Sequence, residues 1–261
     1  MSILDEIFAD KRIEVAKTKR KISTVDLESA IKYLPPPVAF ATALKGVANE
    51  TPRLIAEVKY RSPSKGILCP DFEPLGLART YAENGAAAIS ILTDEKYFGG
   101  SLLNLNSIAN LGLGLPLLRK DFIFDPYQLI EARKAGASAI LLIVAMLSST
   151  QLSELLSVAK ELDLEILVET HTREEVEQAL EAGASVIGVN NRDLHTFDVS
   201  LEISLALRPL IPGDVVMVAE SGIHTKEDVA RLSAAGVDAM LIGEGLVTAS
   251  DIGAKTREFT Q

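Results

Sequence analysis

NGAAAISIL (84–92), AGASAILLI (135–143), AGASVIGVN (182–190) and AGVDAMLIG (235–243) share one design. Each has a glycine closing a helical pattern, a small residue, and then a run rich in Ile, Val, Leu and Ala. Gly85, Gly136, Gly183 and Gly236 recur roughly fifty residues apart, about two strand–helix units each. Between and around them lie further short apolar runs: LIAEVK (54–59), PLLRKD (116–121), EILVET (165–170) and VVMVAES (215–221). Counted with AAISILTD (87–94), AILLIVA (139–145), VIGVNN (186–191) and AMLIGE (239–244), the runs number eight. Near-continuous hydrophobicity over four to eight residues implies burial on both faces, as in a parallel sheet covered by helices. The intervening segments read as helices. TREEVEQALEAG (172–183) and TKEDVARLSAAG (225–236) each open with Thr and acids and close with Gly. That order suits an N-cap, the positive end of the helix dipole and a left-handed C-terminal residue. Eight strands alternating with helices favour an α/β fold of the closed (β/α)8 TIM-barrel type. A doubly wound open sheet is the alternative, but no G-x-G-x-x-G follows the first strand.

Working outward, residues 1–50 precede the first strand. Residues 3–21 read as an amphipathic helix with Ile3, Leu4, Ile7 and Phe8 on one side. Pro35, Pro36 and Pro37 break the segment, and VAFATALKG (38–46) reads as a second short helix. This stretch is too small for its own core, so residues 1–261 are expected to form one barrel domain with an N-terminal helical extension over 1–50. The 261 residues are 48% hydrophobic and only 5% aromatic, without Trp, so the core must be aliphatic. A net charge of −10 argues against nucleic-acid and anionic-membrane partners, which need a basic surface. No uncharged apolar run approaches the roughly 20 residues of a membrane span. MSILDEIFADKR lacks the apolar core of a secretory leader, and the single cysteine allows no internal disulfide. A soluble cytoplasmic protein is expected, monomeric, with a homodimer as the alternative.

In a barrel of this type the site lies at the C-terminal ends of the strands. Alternate residues share a strand face. Glu57 and Lys59 therefore point together, Lys120 follows Leu118, Glu169 follows Leu167, and Gly188, Asn190 and Arg192 fall in one row. For any one of these, a rim salt bridge is the plainer reading. For the set it is weaker, because burying many charges together is costly unless they pair or bind something. Neighbouring cations are expected to depress the lysine pKa values and help a lysine act as an acid. Cations at one mouth of an acidic protein imply an anionic ligand. Ser221-Gly222 and Gly243-Glu244-Gly245 end the last two runs, where glycines let backbone N–H groups approach a phosphate. Phe98 and Phe122 lie just past strand ends and could wall a flat ring. His171, His195 and His224 show no metal-ligand spacing and no nucleotide P-loop occurs, so no metal and no cofactor are expected.

IAEVKYRSPSKG (55–66), SILTDEKYFGGS (90–101), PLLRKDFIFDPYQ (116–128), LLIVA (141–145), LVETHT (167–172), IGVNNRDL (187–194), VAESGI (218–223) and LIGEGL (241–246) together resemble the indole-3-glycerol-phosphate synthase family. The resemblance covers every strand end and the N-terminal extension. It implies a carboxy-lyase of tryptophan biosynthesis that converts 1-(2-carboxyphenylamino)-1-deoxyribulose 5-phosphate to indole-3-glycerol phosphate, CO2 and water. It further implies that Lys120 protonates the ketone oxygen, that Glu169 is the base of the later dehydration, and that Glu57 orients the lysines. Lys59 would bind the carboxylate and aid proton transfer, with Asn190 and Arg192 holding the carboxylate and hydroxyl region. Ser62, Ser221, Gly222, Gly243, Glu244 and Gly245 would surround the phosphate, Glu244 through its backbone N–H alone. Phe98, Phe122, Leu141 and Leu194 would enclose the ring. The chain departs from the family where Gly245 replaces a frequent Ser.

Three rivals are weaker. Phosphoribosylanthranilate isomerases resemble a pattern with Cys and Asp where this chain has Lys59 and Asn190/Arg192. A Schiff-base aldolase would use an inward lysine such as Lys120, and borohydride trapping separates it from ring closure. A barrel that only binds a phosphorylated ligand would show affinity without turnover.

Overall fold

The computed structural model describes residues 3–46, 50–193, 196 and 198–261. Eight parallel strands close into a barrel: β1 (Arg53–Val58), β2 (Ala88–Leu92), β3 (Leu117–Lys120), β4 (Ala139–Ile143), β5 (Glu165–Thr170), β6 (Val186–Asn190), β7 (Val216–Glu220) and β8 (Ala239–Ile242). Each pairs with its sequence neighbour and β8 returns to β1, with Arg53 opposite Ala239. Helices lie between the strands, so the protein is a (β/α)8 barrel. The glycine punctuation has its physical cause in the backbone: Gly136 and Gly236 close their helices in the left-handed region at φ 94° and 77°. Thr172 and Thr225 cap the helices that follow them, accepting from the N–H groups of Glu175 and Asp228.

Alternation along the strands sorts their side chains into two apolar sets. Leu54, Ala56, Ile89, Ile140, Val168, Ile187 and Met217 pack outward under the helices. Ile55, Ala88, Leu118, Leu141, Leu167, Val186, Val218 and Leu241 point into the barrel.

The segment before the barrel closes it at both ends. Helix α1 (Ile3–Lys21) buries Leu4, Ile7 and Phe8. Helix α3 (Phe40–Leu44) buries Phe40 and Leu44, and all five side chains join the interior apolar set. Helix α3 sits at the N-terminal ends of the strands. There the N–H groups of Phe40 and Ala41 donate to the carboxylate of Glu165, the first residue of β5. Helix α1 lies at the opposite mouth.

Between them is an element the sequence reading passed over, helix α2 (Thr24–Ile31). Its signal was local: Ser23 Oγ accepts from Asp26 N–H at 3.1 Å as an N-cap. Its apolar face is narrow, with only Leu27 buried, in a small cluster with Val15, Tyr127 and Ile130. No helix among the described residues is long and apolar enough to cross a membrane.

Candidate active site

The strand register brings the polar residues of five strand ends together. Glu169 lies beside Gly188, and Asn190 beside Glu220. Lys120, at the last position of β3, places Nζ 3.6 Å from Glu169 Oε2 and 3.4 Å from Glu220 Oε2. Lys59 Nζ lies 3.3 Å from Glu57 Oε1. Asn190 Nδ2 donates to Glu169 Oε1 at 3.2 Å. Arg192, two residues past the end of β6 in a bridge with Val199, lines the same mouth. A cavity of about 190 Å³ opens among these groups and Ser62, Phe98, Phe122, Leu141, Ser221 and Glu244. It continues into a smaller recess of about 110 Å³ formed by Lys59, Arg192, Ser221, Gly222, Gly243, Glu244 and Gly245. Leu194 lies outside the described residues.

Two glycines make room for the carboxylates. A Cβ at Gly188 would collide with Glu220 Oε1, and one at Gly243 would stand 2.7 Å from Glu57 Oε1. A side chain at 188 or 243 would thus displace one of the site's own acids, before any ligand enters. Glu57 Oε1 and Glu220 Oε1 are both buried without a hydrogen-bond partner. Unsatisfied buried acceptors are costly; here the two oxygens lie against Gly243 and Gly188, and Glu57 Oε1 keeps Lys59 Nζ at 3.3 Å as its counter-charge.

The electrostatics correct one expectation. Neighbouring cations do not depress Lys120. Burial works to lower its pKa, but Glu220, Glu169 and Glu57 outweigh burial and raise it above the ordinary lysine value. The ammonium is therefore firmly charged near neutrality. Burial likewise works to raise the Glu169 carboxyl. Lys120, His171 and the Asn190 hydrogen bond reverse that and hold it at about 2. Glu220 behaves oppositely. Burial, with repulsion from Glu169 and Glu57, wins over the attraction of Lys120 and pushes it up to about 7. Two acids at one lysine are thus driven apart, Glu169 toward its ionised form and Glu220 toward its protonated one.

A stability consequence follows for Glu220. A carboxyl whose folded pKa is raised stabilises the fold fully below its unfolded pKa, near 4.5, and that contribution is lost as pH rises through about 7. Glu220→Gln removes the titration. The stability of the wild type relative to Glu220→Gln is expected to fall by on the order of 1–3 kcal/mol between pH 4.5 and 7.5. Urea unfolding across that range checks it, and a flat difference overturns the assignment of the raised carboxyl.

Glu220 and His171 are the residues that strand-end reasoning left without a role. His171 Nε2 lies 3.4 Å from Glu169 Oε1, an ion-pair distance, and Nδ1 lies 3.1 Å from Glu175 Oε2. Burial works to lower its pKa, but Glu169 and Glu175 bring it up to about 10, so the ring is a cation at neutral pH. The usable signal was alternation: His171 stands two residues past Glu169, one residue beyond the end of β5, in the row that alternation turns inward. Glu220 stood in view at the end of β7, but its approach to Lys120 across the barrel needs the register.

Ser221 and Gly222 take consecutive left-handed conformations, φ 65° and 75°. Successive N–H groups in such a turn form an anion-binding concavity, and a non-glycine residue held there is strained. A Cβ at Gly222 would also strike Val199 Cγ1, so glycine there serves packing as well as backbone approach. The Glu244 side chain, to which the resemblance assigns no role, has a partner of its own. Its Oε1 pairs with Lys65 Nζ, from the loop that follows β1. A Cβ on Gly245 would meet Ile242 at an ordinary 3.5 Å, so nothing steric demands glycine at that departure.

On the other side the rings of Phe98 and Phe122 stand 6.0 Å apart. Lys59 Nζ lies 5.7 Å from the centre of Phe98. Ile3, Leu4 and Ile7 of α1 also line this side of the cavity, which sequence reading did not foresee. Among the described residues, no group of three or more His, Cys, Asp or Glu is arranged to hold a metal ion.

A family model described as indole-3-glycerol phosphate synthase matches residues 4–259. The indole-3-glycerol phosphate synthase of Dehalococcoides mccartyi strain BAV1 is 52% identical over 260 residues, 98% of this chain and 99% of the relative. That of Roseiflexus sp. strain RS-1 is 50% identical over 265 residues, 99% and 98% of the two chains. Among solved structures, 3-hexulose-6-phosphate synthase from Salmonella typhimurium superposes with a TM-score of 0.66 at 14% identity, over 80% of this chain and 96% of that one, a likeness of fold alone.

Proposed function

The chain belongs to the indole-3-glycerol phosphate synthase family, and from that premise we propose how its barrel mouth performs the family's reaction. The activity is a carboxy-lyase step of tryptophan biosynthesis. It closes the ring of 1-(2-carboxyphenylamino)-1-deoxyribulose 5-phosphate with loss of CO2 and water to give indole-3-glycerol phosphate.

The observation that carries the site assignment is the Lys120 ammonium, held 3.4–3.6 Å from two carboxylates at the edge of the cavity. The substrate's phosphate enters the recess of Ser221, Gly222, Gly243, Glu244 and Gly245, with Ser62 at its border. Its aryl ring lies between Phe98 and Phe122 over Leu141. Lys59, Arg192 and Asn190 face the benzoate carboxylate and the sugar hydroxyls.

The ring carbon bearing the carboxylate attacks the ketone carbon, and the ketone oxygen takes a proton from Lys120. The bond to the carboxylate then breaks, CO2 departs, and its electron pair restores the aromatic ring. The new hydroxyl leaves as water with a proton supplied by Lys59, and Glu169 removes the proton from the adjacent carbon to complete the indole. Two protons are given and one is taken, matching the one proton that net decarboxylation of a carboxylate consumes. Glu57 holds Lys59, and Glu220 holds Lys120 in line with the ketone.

We further place the protein in the cytoplasm as a monomer, supported by its net charge of −10 and single cysteine. We count the extension and barrel as one domain, since α1 and α3 bury their apolar residues in the barrel's own interior.

The test is direct. Added carboxyphenylamino-deoxyribulose phosphate should give rising indole fluorescence at the same rate with and without EDTA. Loss of turnover in EDTA with recovery on adding a divalent ion overturns the lysine-based electrostatics; no turnover in either case overturns the site reading.

A further inference from the structure

Lys11 of α1 is only 1% exposed. Its Nζ lies 2.9 Å from Asp94 Oδ2, 3.0 Å from Asp121 Oδ1 and 2.9 Å from Glu14 Oε2. Asp94 and Asp121 are themselves 1% and 3% exposed. A buried ion cluster of this kind is a poor way to gain stability, because desolvation consumes most of the Coulomb gain and an apolar side chain of similar size does as well. Its value here lies in what the two aspartates also hold.

Asp94, in the loop after β2, accepts on Oδ1 from the N–H of Tyr97 at 2.7 Å and of Phe98 at 3.3 Å. Asp121, just past β3, accepts on Oδ1 from the N–H of Phe122 at 2.8 Å. Lys11 therefore joins two carboxylates, each of which fixes the backbone of one of the two rings that stand 6.0 Å apart across the cavity. The same helix brings Phe8 edge-on to Phe122 at 5.7 Å and lays Leu4 and Ile7 along the cavity wall.

We propose that Lys11 is a positioning residue of the reaction: it sets the separation of Phe98 and Phe122, and so the fit of the substrate's aryl ring. The inference rests on the reading that the ring lies between those two phenyl groups.

The two aspartates do not depend on Lys11 equally. Asp121 keeps Arg119 Nη2 at 3.2 Å and Thr93 Oγ1 at 2.6 Å whatever stands at position 11. Asp94 has its amide donors and Lys11. Replacing Lys11 by Met leaves two buried carboxylates facing each other, and the Asp94 loop is the one that yields. Phe98 then shifts while Phe122 stays. The phosphate recess, across the mouth on the loops after β7 and β8, is untouched.

The experiment compares two competitive probes, anthranilate for the ring slot and inorganic phosphate for the recess. Lys11→Met is expected to raise KM and the anthranilate inhibition constant by about tenfold or more, to lower kcat less than it raises KM, and to leave phosphate inhibition unchanged. Lys11→Met combined with Asp94→Asn removes the carboxylate left without a cation, while Asp121 keeps Arg119, and should recover most of the anthranilate affinity, a coupling that mere loss of packing does not produce. Lys11→Arg, which keeps the charge, should stay close to wild type. If Lys11→Met does not fold, the double variant and Lys11→Arg carry the same comparison. Equal weakening of both probes, or no change in anthranilate inhibition, overturns the proposal. Phe98→Ala separates the two readings. If it weakens anthranilate while the Lys11 variants do not, only the role of Lys11 fails. If it too leaves anthranilate unchanged, the ring slot itself is misplaced.

Discussion

Lys120→Met is expected to lower kcat by roughly 10²–10⁴, the scale of a positioned general acid, with a much smaller change in KM. In the proposed mechanism the ammonium acts on charge that develops at the ketone oxygen only as the ring closes, so its loss should be felt in the transition state. Arg192→Ala provides the contrast. Arg192 lines both the cavity and the recess; on the proposed reading it binds the ligand's anionic groups in ground and transition states alike, so KM should rise more than kcat falls. The carboxylates around Lys120 raise its pKa, so the alkaline limb of kcat due to this lysine should lie above the ordinary lysine range. Met at 120 should abolish that limb. Single-turnover rates across pH for both enzymes decide the matter. If Lys120→Met retains near wild-type kcat while Lys59→Met is dead, the two lysines exchange roles. The variant should also show a second effect. Without the cation, Glu169, Glu220 and Glu57 face one another, and the acid that gives way is Glu220, already poised at about 7. It will hold a proton to still higher pH, which isotope-edited infrared spectra of the carboxyl band can follow.

The eight strands were legible because each is an aliphatic run, because a helix-ending glycine precedes β2, β4, β6 and β8, and because a capping Ser or Thr starts the helix that follows β2, β4, β5 and β7. The residues Glu57, Lys59, Lys120, Glu169 and Asn190 were legible for the same reason, being polar endings of apolar runs on the face that alternation turns inward. What escaped depends on contacts between distant elements. Glu220 ended a strand as visibly as Glu169. Its partnership with Lys120 reaches across the barrel from β7 to β3, and its position depends on the space left by Gly188. The rise in Lys120's pKa was misjudged because counting cations at the mouth overlooks which charges lie nearest, and the nearest are three acids. Lys11 belongs to a basic helix, where a lysine reads as a solvated charge. Only the docking of α1 on the loops after β2 and β3 buries it. Helix α2 is a different case: its Ser23 cap and Asp26 were available in the sequence, but a single buried leucine leaves almost no apolar period to read.

Glu169→Gln should split the reaction in two. If Glu169 removes a proton only after the carboxylate has gone, the variant can still close the ring and release CO2 but stalls before water is lost. Indole formation is expected to fall by roughly 10²–10⁴, while the first turnover of CO2 release is slowed far less. The expectation follows from the unequal states of the two acids at Lys120. Glu169, held at about 2 by Lys120, His171 and Asn190, is ionised at every working pH and available as a base in the dry interior. Glu220, which burial and the neighbouring Glu169 and Glu57 push toward its protonated form, makes a less constant one. Gln keeps the size of the side chain and an oxygen that can face Lys120, so the ammonium stays near the ketone and ring closure proceeds. Such a low-pKa carboxylate is a weak base in water. On the proposed mechanism it serves because departure of the hydroxyl as water leaves an electron-poor carbon beside the one that gives up the proton, which makes that proton strongly acidic, and because His171 and Asn190 hold the oxygen in place. Rapid-quench measurement of labelled CO2 against indole fluorescence reads the two steps separately. Lys120→Met supplies the control, since it should suppress both signals together. Equal suppression of CO2 and indole in Glu169→Gln would move Glu169 into the ring-closing step, as the group that keeps Lys120 charged and aimed, and would leave the dehydration to Glu220.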